Sequence, residues 1–189
     1  MKFVSLNNKI LPASEATISP FDQGFQTGLG IFETIKVTDS GSRLFSYHYE
    51  RLKSSADRLD LVAPSQEKLE ALIVELLEKN QVEQARLRIT LPGGEAPVPD
   101  SAGKSTLLIT LAALPDYPES AAVVTVPFTR TPDGALAGIK STSYGESVVA
   151  LRYAKNKGAD EAIFLNSLNY LCEGSTSNLF LIYDASTSD

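Results

Sequence analysis

Between Leu69 and Leu77 the apolar residues fall at Leu69, Leu72, Ile73, Leu76 and Leu77, the spacing of i, i+3, i+4, i+7 and i+8 that a helix turns to one side. Strand-like runs flank this segment: KFVSL and IFETIKV before it, RLRITL and STLLITLAAL after it. A chain that changes period in this way must lay helices against sheet, and the reading is α+β.

The boundaries follow from local chemistry. Gly41 marks a turn after IFETIKV, and Tyr47 to Leu61 forms a helix with Leu52, Ala56 and Leu59 on one face and Ser46 as its N-cap. Ser65 caps the second helix and Asn80 stops it. PGGEAPVPDSAGK is a surface loop, and ALPDYPESA, with Pro115 and Pro118, is a linker. The expected domains are therefore 1–114 and 121–189. In the second, AVVTVPF is a strand. Tyr144 to Lys157 is a helix with Val148, Val149, Leu151 and Ala154 as its apolar side, and Gly158 is its C′ residue. EAIFLN and YLCE form a hairpin about NSLN, and NLFLIY is a further strand.

Charge narrows the partners. A formal net charge of −6 argues against a nucleic-acid backbone as partner. No apolar run approaches the roughly 18 residues of a membrane span, and a single cysteine, Cys172, excludes an intrachain disulfide and makes a structural metal site unexpected. A reducing, cytoplasmic setting is the default for such a chain.

Two side chains point to chemistry. Lys140 follows Gly138 and Ile139 and precedes three small polar residues, a setting in which a lysine amine can meet a carbonyl beside a phosphorylated cofactor. Read alone it is a solvated loop lysine. Glu173 closes a strand ahead of Gly174, Ser175, Thr176 and Ser177, where a carboxylate can pair with a protonated pyridine nitrogen. Gly24, Gly28 and Gly30 do not make a dinucleotide loop, because they precede the strand IFETIKV and Glu33 stands where the third glycine belongs. His48 and Arg51, three apart, share a helix face, either as a surface pair or as an arginine fork aimed inward at a phosphate.

Taken in order, FDQGFQTGLGIFETIKV, YHYERLKSSADRL, RLRIT, GIKSTSYGESVVALRYAKNKGADEAIFLN and LCEGSTSNLF resemble the class IV (fold type IV) pyridoxal-phosphate enzymes. That group includes branched-chain and D-amino-acid aminotransferases and 4-amino-4-deoxychorismate lyase. The resemblance implies a two-domain fold, with pyridoxal 5′-phosphate as cofactor, a small amino substrate and a homodimer. It makes Lys140 the cofactor-bearing lysine, Arg51 the phosphate-binding arginine of HxxRL, Glu173 the partner of the pyridine nitrogen, and Tyr144 a contact of the ring hydroxyl.

Phe32, Glu33 and Thr34 resemble the lyase more than the FEGiR of branched-chain aminotransferases, which implies that Thr34 assists proton transfer. Arg88, or Arg86 beside it, is then left to hold a substrate carboxylate. The family's second domain usually runs on for roughly another 80 to 100 residues. The resemblance therefore implies a complete first domain, a C-terminally truncated second one, and weak or no turnover by these 189 residues alone.

Overall fold

The computed structural model describes residues 1–96 and 104–182. They form two units, Met1–Asp116 with Gly138–Ser143, and Tyr117–Ala137 with Tyr144–Asp189. No helix among the described residues is long and apolar enough to cross a membrane.

In the first unit six strands lie in the order β2-β1-β6-β5-β3-β4, every pairing antiparallel. They are β1 (Phe3–Leu6), β2 (Lys9–Pro12), β3 (Gly30–Thr38), β4 (Gly41–Ser42), β5 (Ala85–Pro92) and β6 (Leu108–Ala112). The sequence reading missed β2. Its signal is Asn7-Asn8, which sit at φ 50° and 67° and make the two-residue turn that matches strand twist. The one-turn helix α1 is Gln23–Gln26.

The β3–β5 register, from Gly30 opposite Pro92 to Val37 opposite Ala85, sorts the side chains. Ile31, Ile35 and Val37 share a face with Leu91, Leu87 and Ala85 and enter the core. Phe32, Thr34 and Lys36 share the other face with Thr90, Arg88 and Arg86. Onto the first face pack α2 (Phe45–Arg58) and α3 (Gln66–Asn80), burying Leu52, Ala56, Leu69, Leu72, Ile73 and Leu76.

The cap of α3 is as expected, the Ser65 hydroxyl oxygen accepting from the Lys68 amide at 3.4 Å, and the helix ends at Asn80 with Gln81 in the left-handed region. Ser46 is not the cap of α2. Phe45 is buried in the core, which draws the helix start ahead of Ser46, and Leu44 takes the cap position at φ 54°. Residues 97–103 of the expected surface loop lie outside the described residues.

The second unit holds β7 (Val123–Arg130), α4 (Gly145–Asn156), β8 (Glu161–Asn166) and β9 (Leu171–Gly174). β7 and β8 are parallel, with α4 between them in the chain, and β8 and β9 form the expected hairpin. Gly158 follows α4 at φ +76°, as a C′ glycine should. Two expectations fail here. Of the expected apolar side of α4, Ala154 is buried and Leu151 half-buried, but Val148 and Val149 are exposed, and Ser147 and Ala150 complete the buried side because small side chains let the helix approach the sheet. Residues 178–182 form no strand: they find no ladder partner among the described residues, and Phe180 and Ile182 are exposed. Tyr183 lies outside the described residues.

Leu76 is fully buried in the larger core. Leu76→Ala should cost about 2–5 kcal/mol, seen as a lower urea midpoint with an unchanged slope.

Candidate active site

β3 is paired to β5 along its length, but β4 covers its other edge only at Val37 and Thr38. Near Phe32 that edge would leave backbone groups without partners, which is costly in a protein interior. The chain closes it with a later segment. The Phe32 amide donates to the Lys140 carbonyl at 2.9 Å, the Thr142 amide donates to the Gly30 carbonyl at 2.8 Å, and Ile31 bridges to Ser141. The Thr142 and Ser143 hydroxyls both donate to the Gly28 carbonyl, at 2.8 and 3.0 Å. Gly30 is required at this edge, since a Cβ there would lie 2.8 Å from Thr142 Oγ1 and 2.9 Å from Pro92 Cα.

The backbone of Lys140 is thereby fixed, and its Nζ lies 4.7 Å from the centroid of the Phe32 ring. Arg88 Cζ lies 3.7 Å from the same centroid, and Arg88 Nε donates to Thr90 Oγ1 at 3.3 Å. Thr34 is the direct cross-strand partner of Arg88. Three of the residues singled out in the sequence, Lys140, Thr34 and Arg88, are thus gathered about Phe32.

Arg51 is placed differently. Its Nε and Nη2 each donate to Glu33, at 2.6 Å to Oε1 and Oε2, and His48 Nδ1 lies 2.7 Å from Oε2. The fork does point inward, and its partner is a buried carboxylate. Glu33 alternates with Phe32, so this cluster occupies the helix-covered face of β3 while the Lys140 amine meets the other. The hydrogen bond from Arg51 to Glu33 outweighs burial and raises the Arg51 pKa. Nη1 is not engaged by Glu33, and half the side chain is exposed.

In the second unit Glu173 is exposed at the end of β9, and Arg130 Nε donates to its Oε1 at 3.1 Å. Arg130 also binds the Glu146 carboxylate, donates to Ser147 Oγ at 2.7 Å, and stacks 4.1 Å from the Phe164 centroid. The Tyr144 hydroxyl donates to the Ser175 carbonyl at 2.7 Å, and burial pushes its pKa up. The sequence reading passed over Arg130 and Glu161. Glu161 had a visible signal, a single charge directly ahead of the apolar run AIFL.

Glu161 holds the turn after Glu173. Its Oε1 accepts from the Ala162 amide at 2.8 Å, the Ser175 amide at 3.2 Å and the Ser175 hydroxyl. Its Oε2 accepts from the Thr176 amide at 3.1 Å, the Thr176 hydroxyl at 2.7 Å and the Ser177 hydroxyl at 3.0 Å.

Residues 30–186 match the sequence pattern of the class IV amino-transferases. The chain belongs to that family. A Methanocaldococcus jannaschii protein assigned as a branched-chain-amino-acid aminotransferase is 29% identical over 186 residues, 95% of this chain and 65% of its own length. The aminodeoxychorismate lyase of Bacillus subtilis is 29% identical over 188 residues, 94% of this chain and 63% of its own length. A solved Legionella pneumophila structure, assigned as a 4-amino-4-deoxychorismate lyase, shares 25% identity at a TM-score of 0.81, over 86% of this chain and 62% of that one. This class IV chain therefore spans less than two thirds of each of these relatives, and their names divide between a lyase and an aminotransferase. The α+β reading and the family resemblance agree with these matches.

Burial raises the pKa of Glu161, but its hydrogen bonds from Ser175, Thr176, Ala162 and Ser177 outweigh that and leave it below the ordinary value of 4.5. A carboxyl lowered in the folded state contributes stability that is complete above its unfolded pKa and is lost as pH falls through its folded pKa. Glu161→Gln should therefore flatten the fall of unfolding free energy below pH 4.5, measured by urea unfolding at stepped pH.

Proposed function

We propose that this protein is a pyridoxal 5′-phosphate-dependent lyase that converts 4-amino-4-deoxychorismate to 4-aminobenzoate and pyruvate. The observation that carries the reading is the cluster of Lys140, Arg88 and Thr34 about Phe32, in a chain of the class IV family. Each residue's chemistry suits the part of the cofactor that the family resemblance assigns to it. Lys140 is a primary amine on a backbone held by hydrogen bonds, suited to an aldehyde carbon. Glu173 is a carboxylate steadied by a guanidinium, suited to a protonated ring nitrogen. Arg51 would hold the phosphate through Nη1, with Glu33 fixing the rest of its fork, and Tyr144 would accept from the ring hydroxyl while donating to Ser175.

When bound, this cofactor supplies an electron sink for the charge left on a carbon that has lost its proton. Lys140 Nζ takes that proton as general base. Arg88 orients the substrate carboxylate, its planar fork anchored at Nε by Thr90. The Thr34 hydroxyl, opposite Arg88, relays a proton toward the departing three-carbon fragment as the carbon–oxygen bond breaks. The proposal includes a cytoplasmic homodimer: exposed Cys172 fits a reducing compartment, and exposed Phe21 and Phe25 offer apolar surface to a second copy. A branched-chain or D-amino-acid aminotransferase is the second reading, favoured by the Methanocaldococcus jannaschii match at the same identity as the lyase.

Borohydride reduction of the cofactor-loaded protein should fix the cofactor on Lys140, located by peptide mapping, and Lys140→Ala should abolish the adduct. An adduct on another lysine would sink the assignment. The complete, cofactor-loaded protein should release 4-aminobenzoate from 4-amino-4-deoxychorismate with no keto acid added, and Thr34→Ala should slow this reaction more than any transamination. Turnover only of an amino acid plus a keto acid would establish the second reading instead.

Arg51→Ala should weaken cofactor binding by about tenfold or more, since a hydrogen bond to a charged group contributes roughly 1.5–3 kcal/mol. Equilibrium titration of the visible absorbance reads this change. Unchanged affinity in a stably folded variant would remove Arg51 from the phosphate site.

A further inference from the structure

We infer that Glu161 is a positioning residue for Glu173: by gathering the turn 174–177 onto one carboxylate, it fixes the strand end that presents Glu173. The inference rests on the reading above, in which Glu173 faces the cofactor's ring nitrogen. β9 is poorly placed to hold that carboxylate by itself. It spans only Leu171–Gly174, its pairing with β8 shifts register between Phe164 and Leu165, and Leu171, Cys172 and Glu173 are exposed. Something beyond the ladder must set the direction of its last residues.

Glu161, at the start of β8, supplies it with six donated hydrogen bonds, five of them from Ser175, Thr176 and Ser177. A carboxylate offers about four lone-pair sites, so its accepting capacity is filled by this turn. The turn is closed on itself as well. The Gly174 amide donates to the Ser177 carbonyl at 3.0 Å, and the Ser175 amide also donates to the Ala162 carbonyl at 2.9 Å. Gly174 has no room for a side chain, since a Cβ would lie 2.2 Å from Ser177 Oγ. The lowered pKa of Glu161 agrees with these bonds favouring its charged form.

A carboxylate that only closed a turn would leave the behaviour of Glu173 untouched, and this separates the two roles. Glu161→Gln keeps the shape and turns an amide toward donors. Glu161→Asp keeps the charge at shorter reach. Thr176→Val removes one donor and serves where Glu161→Gln folds poorly. Arg130, the cation paired with Glu173, and Glu146, which Arg130 also binds, stay unchanged in all of them. Amide exchange over residues 174–177 and the pH titration of the visible absorbance are measured on the cofactor-loaded protein, with Glu173→Gln as reference.

Glu161→Gln should speed exchange at Ser175 and Thr176 by about tenfold or more, the scale of one lost charge-assisted bond. It should also move the absorbance titration in the direction of Glu173→Gln, with Glu161→Asp recovering part of both. Unchanged exchange overturns the inference, and faster exchange with an unmoved titration overturns the positioning role. Wild-type protein that gains no visible absorbance from pyridoxal 5′-phosphate overturns the cofactor reading itself. In the cofactor-free protein the exchange rates still report whether Glu161 holds the turn.

Discussion

The first unit's candidate chemistry depends on the unpaired edge of one strand. β3 has β5 on one side and little of β4 on the other, so the backbone near Phe32 must find partners or stay poorly satisfied. Gly138–Ser143, from far along the chain, supplies them. Satisfying that edge carries Lys140 to Phe32, Thr34 and Arg88. The small residues on both sides follow from the same closeness: Gly30 has no space for a Cβ, and Thr142 and Ser143 are short enough to donate back to the Gly28 carbonyl.

Two of the carboxylates that the structure buries or half-buries, Glu33 and Glu161, serve different ends. Glu33 is buried and meets an arginine fork and a histidine, so its charge is matched chiefly by charge. Glu161 meets amides and hydroxyls, and its charge is spread over neutral dipoles. Glu33 ties a helix to a strand. Glu161 ties a strand start to the turn beyond a strand end. Each constrains a residue expected at the cofactor, Arg51 in the first unit and Glu173 in the second.

Much of this was legible in the sequence. Leu69, Leu72, Ile73 and Leu76 declared α3 because period and burial coincide, and Ser65 declared its cap because a hydroxyl ahead of the first turn satisfies an orphan amide. Lys140, Thr34, Arg51, Arg88, Tyr144 and Glu173 were singled out because a family resemblance attaches to short ordered motifs, and the class IV match over residues 30–186 spans all six positions. Where local rules met tertiary demands they gave way. Ser46 lost its cap to the burial of Phe45, and Val148 and Val149 ceded the inner face of α4 to alanines that permit closer approach.

The sequence by itself determined most of the elements and named the candidate residues, because periodicity, capping and motif order are properties of neighbours in the chain. It did not determine which charges meet. That Arg51 grips Glu33, that Arg130 reaches Glu173, and that Glu161 gathers Ser175, Thr176 and Ser177 are pairings across 18, 43 and up to 16 positions. Only the tertiary structure decided them, since a hydrogen bond at 3 Å requires two strands, or a strand and a helix, to be brought into register first.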